Sequence, residues 1–209
     1  MTGRHCRIEP VDATRHAADL FDAFSDTPDG RDWTYMSAGP FTDFEAYRSY
    51  LEKAAESPDP FHYAIIDLAS NRAVATFALM RIDAANGVIE VGSVSYSRRL
   101  QRTVAGTEAM YLLMQHVFDD LGYRRFEWKC DHFNTPSRTA ALRYGFQYEG
   151  IFRQAVLYKG RSRDTAWFAI TDQDWPALRQ VYLSWLAPEN FDAQGQQRRR
   201  LTDFRTTSV

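Results

Sequence analysis

Three apolar runs separated by short turn sequences dominate the middle of this chain. The runs are FHYAIIDL, RAVATFALMRI and VIEVGSVSY, and the turns between them are ASN and DAANG. Short runs that are rich in β-branched and aromatic residues and bounded by Asn, Asp and Gly predict β-strands joined as hairpins. Residues 61–96 are therefore predicted to form a three-stranded antiparallel meander, which needs further elements to cover its faces.

The next apolar residues recur at the spacing of a helix face, at Met110, Leu113, Met114, Val117 and Leu121. A predicted strand, RRFEWKC, follows, and a strand–helix–strand step is typical of parallel pairing with a right-handed crossover. The complete predicted order is β-α-α-β-β-β-α-β-α-β-β-α, and the last helix covers residues 175–186. This order favours an α/β fold with one mixed, partly antiparallel sheet and helices on both faces.

Composition excludes several classes of protein. The 209 residues carry a net charge of −2, so the molecule as a whole has no attraction to nucleic acid or to an acidic membrane. Two cysteines do not make a disulfide framework, and the first ten residues lack the apolar core of a signal peptide. We expect a cytoplasmic protein with a single domain over residues 1–187 and a polar tail over residues 188–209. Docking of the QQRRRL segment to a partner chain or RNA is an alternative to a solvated tail.

The stretch SRRLQRTVAGTEAM, residues 97–110, changes from an arginine-rich loop to a helix. A helix that starts near Val104 exposes backbone N–H groups and the positive end of its dipole. Small side chains at Ala105 and Gly106 would let an anion approach residues 101–107, which favours a pyrophosphate site. Three arginines would add positive charge: Arg98, Arg99 and Arg102. An ordinary turn before a helix is the alternative, because one glycine is a weak signal.

Three segments, in this order and spacing, resemble the GNAT family of acyl-CoA-dependent N-acetyltransferases. They are IEVGSVSY, QRTVAGTEA and NTPSRTAALRYGFQYEG, and the likeness is greatest to the branch that acetylates ribosomal proteins and small substrates. The family loop reads Gln/Arg-x-x-Gly-x-Gly/Ala, and Gln101, Val104 and Gly106 stand at those positions, so the first glycine is missing. The resemblance implies direct attack of an amine on acetyl-CoA, without a metal.

The resemblance also implies the residues that bind coenzyme A, which are Val94, Tyr96, Gln101, Arg102, Thr103, Val104, Ala105, Gly106, Thr107, Asn134 and Ser137. Glu90 is the predicted general base, because histone-modifying members carry a glutamate at this position. Strand alternation predicts that Glu90 shares a face with Val94, among apolar residues that would favour proton acceptance. Glu127 is the rival base, and His62 and His132 are lesser candidates.

Many family members protonate the leaving thiolate with a tyrosine seven residues after the motif asparagine, and here that position is Ala141. Ser137 is predicted to serve the thiolate instead, with a second helix cap as its alternative role. Tyr144 is either a substitute acid or a core residue. Asn134 is predicted to cap the helix and to bond the pantetheine arm.

The resemblance implies an amine acceptor, either a small molecule or a protein N-terminus, and the sequence leaves the choice open. Trp33 and Tyr35 either line the acceptor cleft or belong to the core, and the hairpin-turn residues Lys159, Arg161 and Arg163 are predicted to be solvated. Four other aromatic residues are predicted to pack in the core or at its edge: Trp128, Trp167, Phe168 and Trp175. A homodimer is compatible with the sequence. Two other functions remain as alternatives, a non-catalytic acyl-CoA-binding module and an RNA- or ribosome-associated protein.

Overall fold

The structure, a computed structural model, describes residues 1–27 and 29–205. The last four residues of the predicted tail, 206–209, lie outside the described residues. The strands are β1 (Cys6–Pro10), β2 (Phe61–Asp67), β3 (Arg72–Asp83), β4 (Val88–Tyr96), β5 (Arg125–Asp131), β6 (Gln147–Tyr158) and β7 (Arg161–Thr171). The α-helices are α1 (Ala13–Ser25), α2 (Phe44–Glu56), α3 (Val104–Gln115), α4 (Thr135–Tyr144) and α5 (Trp175–Leu186).

All seven strands belong to one sheet with the order β1-β2-β3-β4-β5-β7-β6. The predicted order of strands and helices is confirmed, and so is the mixed sheet. The pairing of β4 with β5 is parallel, as the strand–helix–strand step predicts, and the other neighbouring strands pair antiparallel. Antiparallel pairing dominates because β2, β3 and β4 follow one another as hairpins, and because β7 turns back from the edge strand β6 and inserts beside β5.

Helices cover both faces of the sheet, as predicted. One face packs α3, α4 and α5 in the larger apolar core, and the other packs α1 and α2 in a smaller one. Trp33 belongs to the smaller core, because it is only 6% exposed and lies edge-on to the rings of Phe24 and Phe41. Of its two predicted roles, the core role is the observed one.

The segment after α5 docks on the main body of the protein. Leu201 is 1% exposed and is part of the larger core. The side chain of Asn190 bridges the backbone of Trp185 and Arg199, and the guanidinium of Arg205 donates to the carbonyl of Leu142 at 2.8 Å. The part of the polar tail that the structure describes is therefore attached along its length.

The turn between β6 and β7 is tied to the segment between α1 and α2. Lys159 Nζ donates to the carbonyl oxygens of Trp33, Ala38 and Gly39 at 3.0, 3.2 and 3.0 Å. Lys159 is exposed, as predicted, and its ammonium also binds three carbonyls of a distant loop. In the described ranges, no helix is both long and apolar enough to cross a membrane.

Candidate active site

The parallel strands β4 and β5 separate part of the way along their length. Their ladder runs from the pair Val88–Arg125 to the pair Val91–Trp128. β4 continues to Tyr96 and β5 to Asp131, without further pairs between them in the described residues. The edge of β4 that faces β5 therefore carries unpaired backbone groups from residue 92 to residue 96, which can accept an extended ligand as a strand edge does. We call this opening the fork.

A bulge in β4 reverses the side-chain alternation at the fork. Ser93 has a φ of +49°, and the register with β3 shifts between Gly92 and Ser95. One extra residue moves every later side chain to the other face. Val94 accordingly packs against the larger core that contains Ile89 and Val91. The prediction that Glu90 shares a face with Val94 is wrong for this reason.

Glu90 lies at the closed end of the fork and is 3% exposed. Arg81 Nη1 donates to its two carboxylate oxygens at 2.8 and 2.7 Å, and Lys129 Nζ lies 2.9 Å from Oε2. The prediction that Glu90 lies among apolar residues is wrong, since two cations contact this carboxylate. Burial of a carboxylate requires such partners, because an unpaired buried charge is very costly.

Glu127 stands directly opposite Glu90 in the parallel register. Its carboxylate pairs with Lys129 Nζ at 2.7 Å and with Arg125 Nε at 2.7 Å, and Arg125 also pairs with Glu149. The Lys129 ammonium, whose side chain is 7% exposed, lies 3.8 Å from the centroid of the Trp167 ring. The two candidate bases are thus linked by one buried lysine that a cation–π contact also holds.

The loop before α3 uses most of its own polar groups. Thr103 caps the helix, because its Oγ1 accepts from the Gly106 N–H at 3.0 Å. Gln101 Nε2 donates to the Tyr96 carbonyl at 2.7 Å, so that side chain braces the loop. Val104 and Ala105 occupy the first two helical positions, whose N–H groups have no acceptor within a helix. An anion at this terminus would find its donors there. Arg102 lies within the loop, two residues before the helix, with a φ of +62°.

Gly106 is explained by packing inside the protein. A Cβ atom at this position would lie 2.6 Å from the carbonyl oxygen of Leu100. The hydroxyls of Tyr96 and Tyr144 lie 3.4 and 3.5 Å from the carbonyl oxygen of Gly106. Close contact between loop and helix thus gives this glycine a structural reason, and the expectation that it also lets an anion approach stays a prediction.

Arg99 does not contribute free charge to this loop. Its guanidinium pairs with the carboxylates of Asp22 and Asp26, at 2.8 Å in each case, and thereby ties the loop to the end of α1. The guanidinium holds the pKa of both carboxyls below the usual range. The prediction that Arg99 adds positive charge to an anion site is wrong, because two carboxylates neutralise it.

The second motif begins α4 beside the fork. Asn134 Oδ1 accepts from the Ser137 N–H at 3.1 Å, which confirms that Asn134 caps the helix. Ser137 Oγ accepts from Trp128 Nε1 at 3.0 Å, so the alternative that Ser137 is a second cap is wrong. Since a hydroxyl has one hydrogen to donate, the Ser137 O–H can still donate, and the Cys130 thiol lies within its reach as well as a ligand at the fork. Trp128, 4% exposed, packs in the core and also orients Ser137.

Two tyrosines lie near the loop, of which Tyr144 is buried and Tyr96 is half-buried. Tyr144 is 8% exposed, and burial raises its pKa. Burial likewise raises the pKa of Tyr96 well above its usual value. Tyr144 is thus a core residue, as one of its two predicted roles requires. The side chain of Thr107 accepts from Arg143 Nη2 at 3.1 Å, which links α3 to α4.

The lesser candidates lie apart from Glu90. His62 is on β2, which β3 separates from β4, and burial lowers its pKa. His132 follows the end of β5, where its backbone N–H donates to the Asp164 carbonyl at 2.8 Å. Tyr35, the other predicted cleft residue, donates its hydroxyl to the carbonyl of Phe133 at 3.1 Å. This bond joins the segment between α1 and α2 to the segment that follows β5.

Arg81, Lys129 and the second role of Trp128 were not predicted from the sequence. Lys129 carries a usable signal, because it alternates with Glu127 on a strand predicted to lie parallel to that of Glu90. Arg81 carries no such signal, since it reaches Glu90 from a bulge in β3. Its φ of +49° there is unusual for a residue other than glycine, and strand alternation does not predict it.

Comparison with known proteins is consistent with this geometry. A family model described as the acetyltransferase (GNAT) domain matches residues 6–147. The crystal structure of a GCN5-related N-acetyltransferase from Brucella melitensis is 50% identical, with a TM-score of 0.95, over 97% of this chain and 92% of that chain. An N-acetyltransferase of Bacillus licheniformis, p20, is 27% identical over 144 residues, which are 68% of this chain and 80% of that protein.

The fold is also shared with a protein of the ribosomal branch. The crystal structure of an acetyltransferase from Salmonella typhimurium that modifies the N-terminal serine of a 50S ribosomal subunit protein has a TM-score of 0.67. It is 20% identical over 81% of this chain and 96% of that chain. The family match, the 50% identity and the split sheet agree, and the chain belongs to the GNAT family of acetyltransferases.

Proposed function

We propose that this acetyltransferase moves an acetyl group from acetyl-CoA to a primary amine by direct attack of the amine. The fork between β4 and β5 is the observation that carries the proposal, because it offers an extended backbone edge beside two buried carboxylates. The edge at residues 92–96 suits the amides of a pantetheine arm. The N–H groups of Val104 and Ala105 suit its pyrophosphate.

Glu90 is the proposed general base, acting directly or through one water molecule. Lys129 holds its carboxylate from the buried side and Arg81 from the more exposed side. The base must therefore give up part of its pairing with Arg81 when it takes the proton of the amine. Glu127 is the weaker candidate, because Lys129 and Arg125 both occupy its oxygens and it lies one strand further from β3.

Ser137 is the proposed donor to the thiolate that leaves. Its oxygen accepts from Trp128, and its O–H would turn from the neighbouring Cys130 thiol to the sulfur that leaves. Charge that develops on the acetyl carbonyl would be stabilised by backbone N–H groups of residues 94–96 at the open edge of β4. The acceptor class includes amino acids, other small amines and protein N-termini, the last because a structural relative modifies such a terminus.

The test is thiol release from acetyl-CoA across a panel of amines. Glu90→Gln should lower kcat about ten- to a thousandfold and leave the affinity for acetyl-CoA unchanged. Glu127→Gln is the matched control, because it neutralises the opposite carboxylate in the same network. Loss of activity in Glu127→Gln alone would make Glu127 the general base in place of Glu90. A folded enzyme that binds no acetyl-CoA and releases no thiol would contradict the proposal.

A further inference from the structure

The backbone of β3 is bent so that one arginine reaches the proposed base. Arg81 has a φ of +49° where the β3–β4 register shifts. The carboxylate of Asp59 holds this bend, because it accepts from the N–H groups of Arg81 and Ile82 at 2.8 and 3.2 Å. A strained non-glycine residue held at a bulge is a recognised way to aim a side chain.

The guanidinium of Arg81 uses only part of its donor set. Nη1 contacts both oxygens of Glu90, and 54% of the side chain is exposed. Among the contacts of the described residues, Nε and Nη2 donate to no other group. Arginine can bind a planar carboxylate through two N–H groups at once. A second carboxylate can therefore approach the outer edge of this guanidinium.

The charges around Glu90 disfavour a polycationic acceptor. Three carboxylates and three cations alternate here, with Arg81 on Glu90, Lys129 between Glu90 and Glu127, and Arg125 between Glu127 and Glu149. Every carboxylate of this network already has a cationic partner. Arg81, whose side chain is half exposed, is the cation of the network whose guanidinium has N–H groups without an acceptor among the described residues.

We infer that the amine acceptor carries a carboxylate close to its amino group, and that Arg81 binds this carboxylate. The inference rests on the proposed function, since it names the substrate class of that site. When the acceptor carboxylate engages Arg81, the guanidinium turns from Glu90, whose oxygens then face the amino group. Arg81 is thus a specificity-determining residue, and amines without a carboxylate leave it on Glu90.

The experiment compares α-amino acids with their carboxamides, which have the same side chain and amino group. Wild-type kcat/KM should favour the amino acid at least about tenfold, in line with a charge-assisted hydrogen bond. Arg81→Gln should reduce this ratio to about one, mainly through KM. Arg81→Lys keeps a cation beside Glu90 and should also lower the ratio, since an ammonium lacks the two parallel N–H groups with which a guanidinium binds a carboxylate. Arg15→Gln is the control, because Arg15 is 57% exposed and also pairs with a glutamate, Glu9.

A parallel arm measures melting temperature with coenzyme A and millimolar amino acid or amide. The amino acid should raise the melting temperature of the wild type more than the amide does, and Arg81→Gln should lose the difference. Equal use of acid and amide by an active wild type, or an unchanged ratio in Arg81→Gln, would overturn the inference and leave the proposed function standing. If no amine is acetylated, the proposed function fails, and the melting arm still decides whether Arg81 binds a carboxylate.

Discussion

An alanine at position 106 would place its methyl carbon 2.6 Å from the carbonyl oxygen of Leu100, where ordinary contact begins at 3.4 Å. Loop and helix would have to move apart by about 0.8 Å. The obstacle is backbone, so no side-chain rotation relieves it. Leu100 O also accepts from Thr103 N and Oγ1, at 3.3 and 2.7 Å. Moving it would loosen the residue that caps α3.

The expected magnitude follows from two opposing effects. Overpacking typically costs about 1–3 kcal/mol, and a rigid obstacle favours the upper half of that range. Alanine regains about 1 kcal/mol of helix propensity over glycine. Gly106→Ala should therefore lower the free energy of unfolding by about 1–2 kcal/mol, which for a chain of this size is about 2–8 °C in melting temperature.

Urea unfolding followed by tryptophan fluorescence, without ligand, measures this effect. Ala105→Gly in the same turn is the control, because it loses about 1 kcal/mol of helix propensity and one buried methyl group without a steric conflict. The KM for acetyl-CoA should rise in Gly106→Ala and stay near wild type in the control. An unfolding midpoint of Gly106→Ala at or above that of the wild type would refute the packing argument. If acetyl-CoA binding were then weakened, the glycine would serve the approach of the ligand instead.

Three further outcomes are expected. Ser137→Ala should lower kcat about ten- to a hundredfold. It should also lower the free energy of unfolding by about 1–3 kcal/mol, because the buried indole N–H of Trp128 loses its acceptor. A wild-type kcat in this variant would show that Ser137 takes no part in the reaction. Arg99→Gln should lower the melting temperature at pH 7. Arg99 depresses the pKa of Asp26 in the folded state, so its stabilisation is present above the unfolded value of about 4 and is lost as pH falls through the folded value. The difference from wild type should therefore shrink progressively as the pH falls below about 4, and a constant difference would contradict the pairing. Burial raises the pKa of the Cys6 and Cys130 thiols, so the native protein should resist a thiol reagent at about pH 8. The denatured protein should react at both cysteines, whereas rapid labelling of the native protein would contradict their burial.

The sequence by itself determined the order of strands and helices, the parallel step from β4 to β5, the start of α3 and the cap at Asn134. These features follow from signals that lie within a few residues of each other, such as apolar periodicity and the side chains that cap a helix. The motifs were likewise sufficient for the family, because each is a continuous segment.

Only the tertiary structure decided what surrounds those segments. The cations on Glu90 come from two different strands, and the partners of Lys159 lie more than a hundred residues away. The bulges at Ser93 and Arg81 use positive φ angles without glycine, so their sequence carries no mark of them. One extra residue in a strand exchanges its two faces, and strand alternation read from sequence then assigns Val94 to the wrong one. The charge and orientation of the candidate site thus depend on register and long-range pairing, which local sequence does not encode.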